Sequence, residues 1–387
     1  MSADRPPVSP QALRLAMVAG EASGDLLGGL LLQAVKARWP DGQASGIGGA
    51  RMMAQGFASH WPMDRLSVFG YVDALRRLPE LLRIRRQMAE RVERERPAVF
   101  IGIDAPDFNF GLEKRVRQSG IKTIHFVCPS IWAWRGERVL KLHAAADHVL
   151  CLFPFEPALL HRHGVAATYV GHPLADAIPV EPPRQAARQA LALDAETQVV
   201  ALLPGSRRSE IQHIGPRLLA AAQLMHAQRP GLRFILPVAP GLRSLVEPML
   251  ARWAPGTPVA LLDGQSHAAL AACDVTLVAS GTAALEAALF KRPMVITYRV
   301  SWLNWRRMRR MAYQPWFGLP NILSEAFVVP ELIQDDATPQ ALAREGLAWL
   351  DDPTRVAAVQ QRFVQMHHSL RQNTAQKATD AIAQVIG

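Results

Sequence analysis

The sequence predicts an α/β protein of two doubly wound Rossmann-like domains facing a central cleft, with a helical C-terminal segment. Three observations predict it. Short, continuous apolar runs alternate with amphipathic helical patterns almost from end to end, as parallel strands covered on both faces require. The length of 387 residues exceeds what a single core usually serves. The alternation also restarts after GHPLADAIPVEPPRQ, a proline-rich polar break at 171–185. These place one domain at 1–170, a linker at 171–185, a second domain at 186–350 and C-terminal helices at 351–387 that pack back on an N-terminal domain.

In the first half the strand candidates are 13–19, 98–103, 121–127, 148–152 and 167–170. In the second they are 198–203, 233–238, 259–262, 275–279 and 294–298. Helical patterns fill 25–38, 76–95, 110–118, 209–228 and 282–290, and the chain after Thr338 is helical without a strand. Ligands of such folds sit at the carboxyl ends of the strands, here in the cleft between the domains.

The formal net charge is +10, from 43 Lys and Arg against 33 Asp and Glu, which implies an anionic partner: nucleic acid, an acidic membrane surface or a phosphorylated substrate. Cys128, Cys151 and Cys273 lie far apart without metal-ligand spacing and read as reduced, buried thiols of a cytoplasmic protein. The start, MSADRPPVSPQ, lacks the apolar stretch of a signal peptide, and no apolar run approaches the roughly 20 residues that span a bilayer. A soluble or peripheral protein is expected.

The loops after the strands hold the candidate chemistry. VALLPGSRRSEIQHIGP, at 200–216, runs a buried strand into a glycine, a hydroxyl and two guanidiniums where a helix begins. A helix start offers unpaired N–H groups and partial positive charge, a natural anion seat. Gly205 lets the backbone approach a ligand, Ser206 can donate, and Arg207 can grip phosphate oxygens. The other reading is a capped turn with solvated arginines. Ser280-Gly281-Thr282 repeats the seat at a second helix start, and Glu286, one turn in, can accept from a ribose diol. Two such loops in one domain fit a nucleoside diphosphate.

In the first domain, Gly20-Glu21-Ala22-Ser23-Gly24-Asp25 opens a helix and is either a ligand loop or a tight turn capped by Ser23 or Asp25. It is not a dinucleotide fingerprint. Asp107 reads as the cap of the helix that follows the next strand, leaving Asp104, at the strand's end, without an obvious structural task. No Walker A, D-x-D, H-E-x-x-H or G-x-S-x-G motif occurs, so neither metal nor organic cofactor is expected. His161 and His163 read as surface or satisfied core residues. His172 fits a turn or a cleft contact equally.

Residues 298–317 interleave five arginines with Trp, Met and Tyr. Trp302, Trp305, Arg306, Arg307, Arg309, Arg310 and Trp316 suit the headgroup level of an anionic bilayer. A core helix with a solvated basic face explains the same pattern. RNA stacking would also use it, but no nucleic-acid fold signature accompanies it, and nucleic acid is not expected as a partner. A second basic and apolar stretch runs from 66 to 88.

Taken together, GEASGD, GIDAPDFN, PSIWAWR, YVGHPLAD, LLPGSRRSEI, ASGTAALE and LPNIL resemble, in order and spacing from about residue 13 onward, the bacterial lipid-A-disaccharide synthases of glycosyltransferase family 19. That resemblance implies a GT-B type fold and an inverting, metal-independent transfer. The 2,3-diacylglucosamine unit of UDP-2,3-diacylglucosamine would move to 2,3-diacylglucosamine 1-phosphate, giving a β-1,6 disaccharide phosphate and UDP. It further implies that Ser206 and Arg207 hold the diphosphate, Glu286 the ribose, and Asn321 the nucleotide side, supported by Gln334. Glu21, Ser23 and Asp104 would line the acceptor side. The expected place is the cytoplasmic leaflet of the inner membrane, bound peripherally. In that family the C-terminal segment can be exchanged between two chains, so a swapped homodimer is allowed. An inverting transfer needs a base opposite the UDP; Asp104 fits, with Glu21 as its rival. Two alternatives remain: another GT-B UDP-sugar transferase or 2-epimerase, and a non-catalytic protein that binds anionic membrane or RNA.

Overall fold

A computed structural model describes residues 13–66, 70–133, 136–300, 305–306 and 313–387, without the side chains of 70–76. The chain forms two compact units: Met1–Pro173 with Arg371–Gly387, and Leu174–Leu370.

The first unit is built on seven parallel strands, β1 (Arg14–Ala19), β2 (Gln43–Gly48), β3 (Ala58–Pro62), β4 (Val99–Ile103), β5 (Lys122–Phe126), β6 (His148–Cys151) and β7 (Ala167–Tyr169), in the order β3-β2-β1-β4-β5-β6-β7. Its helices are α1 (Ala22–Arg38), α2 (Ala50–Ala54), α3 (Gly70–Glu95), α4 (Pro106–Gln118), α5 (Arg138–Ala145) and α6 (Glu156–His161). β1 and β4 read as unbroken apolar runs because helices cover both sheet faces. On one face Ala16, Val18, Ile47 and Phe100 meet Ile84, Met88 and Val92 of α3 and Leu112 and Val116 of α4.

The chain passes to the second unit in α7 (Pro173–Ala177) and α8 (Arg184–Ala190), both within or at the edge of the stretch expected as linker. Buried Arg188 donates to the carbonyls of Ala272, Asp194, Ala195 and Thr197 and pairs with Asp274, which fixes α8 to this unit. Six parallel strands follow: β8 (Val199–Leu203), β9 (Arg233–Val238), β10 (Val259–Asp263), β11 (Val275–Ala279), β12 (Met294–Tyr298) and β13 (Glu331–Ile333), ordered β10-β9-β8-β11-β12-β13. The helices are α9 (Arg208–Gln228), α10 (Arg243–Trp253), α11 (Ser266–Ala272), α12 (Thr282–Leu289), α13 (Leu319–Ser324), α14 (Pro339–Asp351) and α15 (Pro353–Leu370); α16 (Thr374–Ile386) closes the chain.

All ten expected strands are present, along with three the sequence reading did not foresee, β2, β3 and β13. The C-terminal segment divides differently from the expectation. α15 stays with the second unit, burying Val359 and Phe363 beside α12. Only α16 returns to the first unit, where Ala378, Ala381 and Ile382 are buried and Asp380 pairs with Arg38 of α1.

Candidate active site

In each sheet one strand marks the point where the winding reverses: β1 lies between β2 and β4, and β8 between β9 and β11. Ligands of open α/β sheets bind outside the carboxyl ends of the strands at that switch point. The loops that flank it follow β1 and β4 in the first unit, and β8 and β11 in the second. The sequence-predicted residues occupy all four.

In the first unit the β1 and β4 loops nearly touch: a Cβ added to Gly20 would lie 3.0 Å from the Cβ of Ala105. Glu21 is the residue before α1, extended, and its side chain does not cap the helix; half-buried Ser23 sits in the first turn. Asp25 does not cap its own helix either. Its carboxylate accepts from the backbone N–H groups of Gly49, Arg51 and Met52 at 2.9–3.0 Å, capping α2 instead. The loop after β4 is strained, with left-handed φ at Asp104 (50°) and Ala105 (44°). Asp104 is half-buried at the mouth, and its N–H donates to Phe126 O at 2.9 Å. Asp107 is not the expected cap: it lies inside the first turn of α4, strongly exposed, and pairs with Arg138 at 2.7 Å. Beyond β5, Trp132 Nε1 donates to buried Glu156 at 3.0 Å, and Trp132 packs edge-on to Phe153 and Phe155, with His172 beside Phe153. Burial pushes the Glu156 carboxyl up to about 8, against hydrogen bonds from Phe153 N–H, Trp132 and Leu152 N–H.

In the second unit, Gly205 has φ 114°, where a Cβ would overlap Glu210. The N–H groups of Ser206 and Arg207 both point at Glu210 Oε2, at 3.1 and 3.3 Å, while Arg207 Nη1 reaches Oε1 at 3.1 Å. In this structure the chain's own carboxylate takes these N–H groups and closes the helix start as a capping box. Tyr298, at the end of β12, has its phenol raised by burial and by Glu210, with Arg207 opposing.

At the second seat Gly281, φ 144°, precedes α12 with open space around it, and Thr282 is exposed. Ser280 Oγ donates to Phe317 O at 3.1 Å, so its hydroxyl proton holds the neighbouring loop. Glu286 faces α11, 3.4 Å from His267 Nε2. His267 escaped the sequence reading, since a lone histidine at a helix start carries no motif.

Asn321 requires a correction. It is fully buried, its Nδ2 donates to Val329 O and Glu331 Oε1, and its Oδ1 accepts from Val328 and Val329 N–H, all at 2.8–3.0 Å. Those four bonds use every position an amide side chain has, so none remains for a nucleotide. Glu331 also accepts from Phe317 and Gly318 N–H, so Asn321 and Glu331 together pin that loop. Gln334, φ 56° and mostly buried, likewise faces the protein: with its amide oriented to satisfy both ends, it donates to Val300 O and accepts from Val300 N–H.

Of the basic aromatic segment, Trp302, Arg307, Arg309 and Arg310 lie outside the described residues. Arg306 is exposed, Trp305 packs on Phe317 at 5.6 Å, and Trp316 on Phe327 at 6.4 Å, the Phe327 side chain being exposed. No described helix is long and apolar enough to cross a membrane. Among the described residues there is no cluster of three metal-ligating side chains.

Two doubly wound units with loops of this kind define the GT-B fold, used by sugar-nucleotide glycosyltransferases and related epimerases. The UDP-GlcNAc 2-epimerase of Neisseria meningitidis is similar in fold, with a TM-score of 0.66 at 11% identity, covering 96% of this chain and 99% of that one. So is CalG4, the calicheamicin glycosyltransferase, with a TM-score of 0.63 at 13% identity, covering 97% and 99%. The chain belongs to the lipid-A-disaccharide synthase family, whose description as lipid-A-disaccharide synthetase matches residues 15–386, and it is a glycosyltransferase. It is 55% identical over 381 residues to the lipid-A-disaccharide synthase of Albidiferax ferrireducens, covering 97% of this chain and 98% of that one. To that of Verminephrobacter eiseniae it is 54% identical over 385 residues, covering 98% and 99%.

Proposed function

We propose that this glycosyltransferase moves 2,3-diacylglucosamine from UDP-2,3-diacylglucosamine to the 6-hydroxyl of 2,3-diacylglucosamine 1-phosphate, giving the β-1,6-linked lipid A disaccharide phosphate and UDP. Membership of the family along residues 15–386, which takes in both pairs of switch-point loops, is the observation that carries it. The acceptor oxygen attacks the anomeric carbon, its proton passes to the Asp104 carboxylate, and the bond to the diphosphate breaks with its electron pair leaving on UDP. Attack from the face opposite UDP inverts the anomeric centre. Asp104 is the base and Glu21 the rival carboxylate on the adjoining loop, with Ser23 beside it.

On the nucleotide side, Gly205, Ser206 and Arg207 receive the diphosphate once Glu210 yields the N–H groups it now holds. Gly281 and Thr282 offer the second helix start, and Glu286 takes the ribose. Ser280, Asn321 and Gln334 serve by shaping the loops around the nucleotide rather than by touching it. Transfer proceeds with neither metal nor cofactor. The segment from Trp302 to Trp316 rests on the cytoplasmic leaflet of the inner membrane, where both lipid substrates reside, and the protein is peripheral there. Two chains can pair by exchanging their C-terminal segments.

The test is UDP release from detergent-dispersed UDP-2,3-diacylglucosamine, with and without 2,3-diacylglucosamine 1-phosphate, in EDTA. Release that depends on the lipid acceptor supports the reading. Release with UDP-N-acetylglucosamine and a polyprenyl acceptor, or epimerisation without an acceptor, overturns it.

A further inference from the structure

The loop after β4 asks for an explanation its own sequence does not supply. Asp104 and Ala105 are two consecutive non-glycine residues with left-handed φ, 50° and 44°, a conformation disfavoured for any residue with a Cβ. Such backbone persists only where its surroundings over-determine it. The surroundings here centre on Asn109, fully buried in the first turns of α4. Its Nδ2 donates to Asp104 O at 2.8 Å and lies 3.4 Å from both Val18 O of β1 and Ile103 O of β4. One amide therefore gathers the carbonyls at the carboxyl ends of the two strands that flank the switch point.

Below it, one helical turn along α4, lies a second polar pair. Glu113 Oε1 is 2.7 Å from His125 Nδ1 of β5, and both side chains are completely buried. Gly102 makes room for them, since a Cβ there would overlap Glu113 Oε1. Asn109 Oδ1, Glu113 Oε2 and His125 Nε2 are buried without a hydrogen-bond partner among the described residues. A core filled for stability alone would use apolar side chains here, because half-satisfied buried polar groups are destabilising. The group's position, directly under the strained turn, is where that loss of stability has a return.

Resting on the assignment of Asp104 as base, we propose that Asn109 is a positioning residue for the transfer: its amide holds the Asp104–Ala105 turn left-handed and thereby sets the Asp104 carboxylate, while the Glu113–His125 pair fixes α4 beneath it. Without the amide, the turn is free to leave the left-handed region, and a base displaced by about an ångström loses roughly 10²-fold in rate.

The experiment compares Asn109→Leu in the wild-type and Asp104→Asn backgrounds, reading kcat, acceptor KM, UDP affinity and thermal unfolding. Asn109→Leu lowers kcat roughly 10–100-fold with acceptor KM and UDP affinity near wild type, and takes almost nothing further from Asp104→Asn, as residues acting through one another do. Adding Ala105→Gly, which removes the penalty for a left-handed backbone, restores part of the lost kcat. Should Asn109→Leu fail to fold, Asn109→Ser, smaller and still able to donate to one carbonyl, carries the same comparison. Unchanged kcat, or equal losses in the two backgrounds, overturns the positioning role and leaves the base assignment standing. Near-wild-type turnover of Asp104→Asn overturns the base assignment, and the positioning role with it.

Discussion

At the helix start proposed to receive the diphosphate, Arg207 and Glu210 form a capping box. The N–H groups of Ser206 and Arg207 are held by a carboxylate three to four residues along the same helix start. A diphosphate must displace that carboxylate and then share Arg207 with it. Glu210→Gln keeps an acceptor oxygen for the loop and removes the like charge, so UDP binding should tighten about 3–10-fold, the scale of a partly exposed charge contact. Isothermal titration with UDP measures it, and weaker binding would mean that the loop needs the carboxylate more than the phosphate resents it. On the proposed diphosphate seat, Arg207→Ala removes a charge-assisted contact from the leaving group, where charge builds up in the transition state. By analogy with one lost oxyanion donor, it should cost about 3 kcal/mol in turnover efficiency. Near-normal kinetics with reduced thermal stability would return Arg207 to a solvated turn. Asp104→Asn keeps shape and hydrogen bonding but cannot take the proton. Turnover should drop ~10²–10⁴-fold with UDP affinity intact. Retained activity there, with loss in Glu21→Gln, moves the base to Glu21.

At the scale of elements, what the sequence made legible follows from how each element is buried. Apart from exposed Arg14 at the start of β1 and Thr276 in β11, the strands β1, β4, β8 and β11 are continuous apolar runs because both faces are covered, and all four announced themselves and the loops they deliver. β2 (QASGIG) hid behind glycine and serine, which suit a strand where another backbone comes close: a Cβ at Gly46 would overlap Met17 O of β1. β3 and β13 are half-buried edge strands, β13 only three residues long, with too little pattern to read. The candidate site was legible where a strand runs straight into a helix start, and less so where a side chain is already taken by a neighbour within the protein. Glu210 reads as part of the opening helix rather than as a cap on the loop before it, and no local pattern marks Glu331 as the residue that occupies the Asn321 amide. The Trp302–Phe317 segment tests a different kind of pattern, one of composition. Replacing Arg306, Arg307, Arg309 and Arg310 with Gln should abolish binding to anionic vesicles while leaving turnover of detergent-dispersed substrate largely intact. Wild-type binding should itself fall steeply with added salt, since surface charges are screened within ~8 Å at physiological ionic strength. Unchanged co-sedimentation of the quadruple variant would rule out this segment as the membrane contact.

Across the whole molecule, each unit holds a carboxyl raised by burial, Glu156 in the first and Glu331 in the second, and the large shift is at Glu156. Both chain passages between the units are tied to the second one: His367, near the end of α15, bonds Ala175 O of α7 at 2.8 Å, and its other ring nitrogen lies 2.6 Å from Lys291 Nζ. The first unit carries Glu156, whose carboxyl is raised from 4.5 to about 8 by burial. A group with a raised folded pKa contributes stability that is fully present below its unfolded value and is lost as pH rises through the folded one. From pH 6.5 to 8 the unfolded chain has released this proton and the folded chain still holds it, so the first unit should lose about 1.4 kcal/mol per pH unit. His60 and His148, lowered chiefly by burial, act in the opposite sense and only as pH falls below their ordinary 6.5. Cys128 is pushed up by its hydrogen bond to Cys151 and then by burial, and it adds its loss only near the ordinary thiol value of 9.0. The window from 6.5 to 8 therefore belongs to Glu156 in this unit. Calorimetry should resolve a transition that drops by roughly 4–8 °C across it, given the usual 2–4 °C per kcal/mol for a unit of this size. UDP should raise the other transition, because a ligand stabilises the unit that binds it. Glu156→Gln, which cannot titrate, should flatten the first unit's slope whatever it does to absolute stability. A slope that survives that substitution would place the titrating group elsewhere, and a UDP effect on the pH-sensitive transition would assign the nucleotide to the first unit.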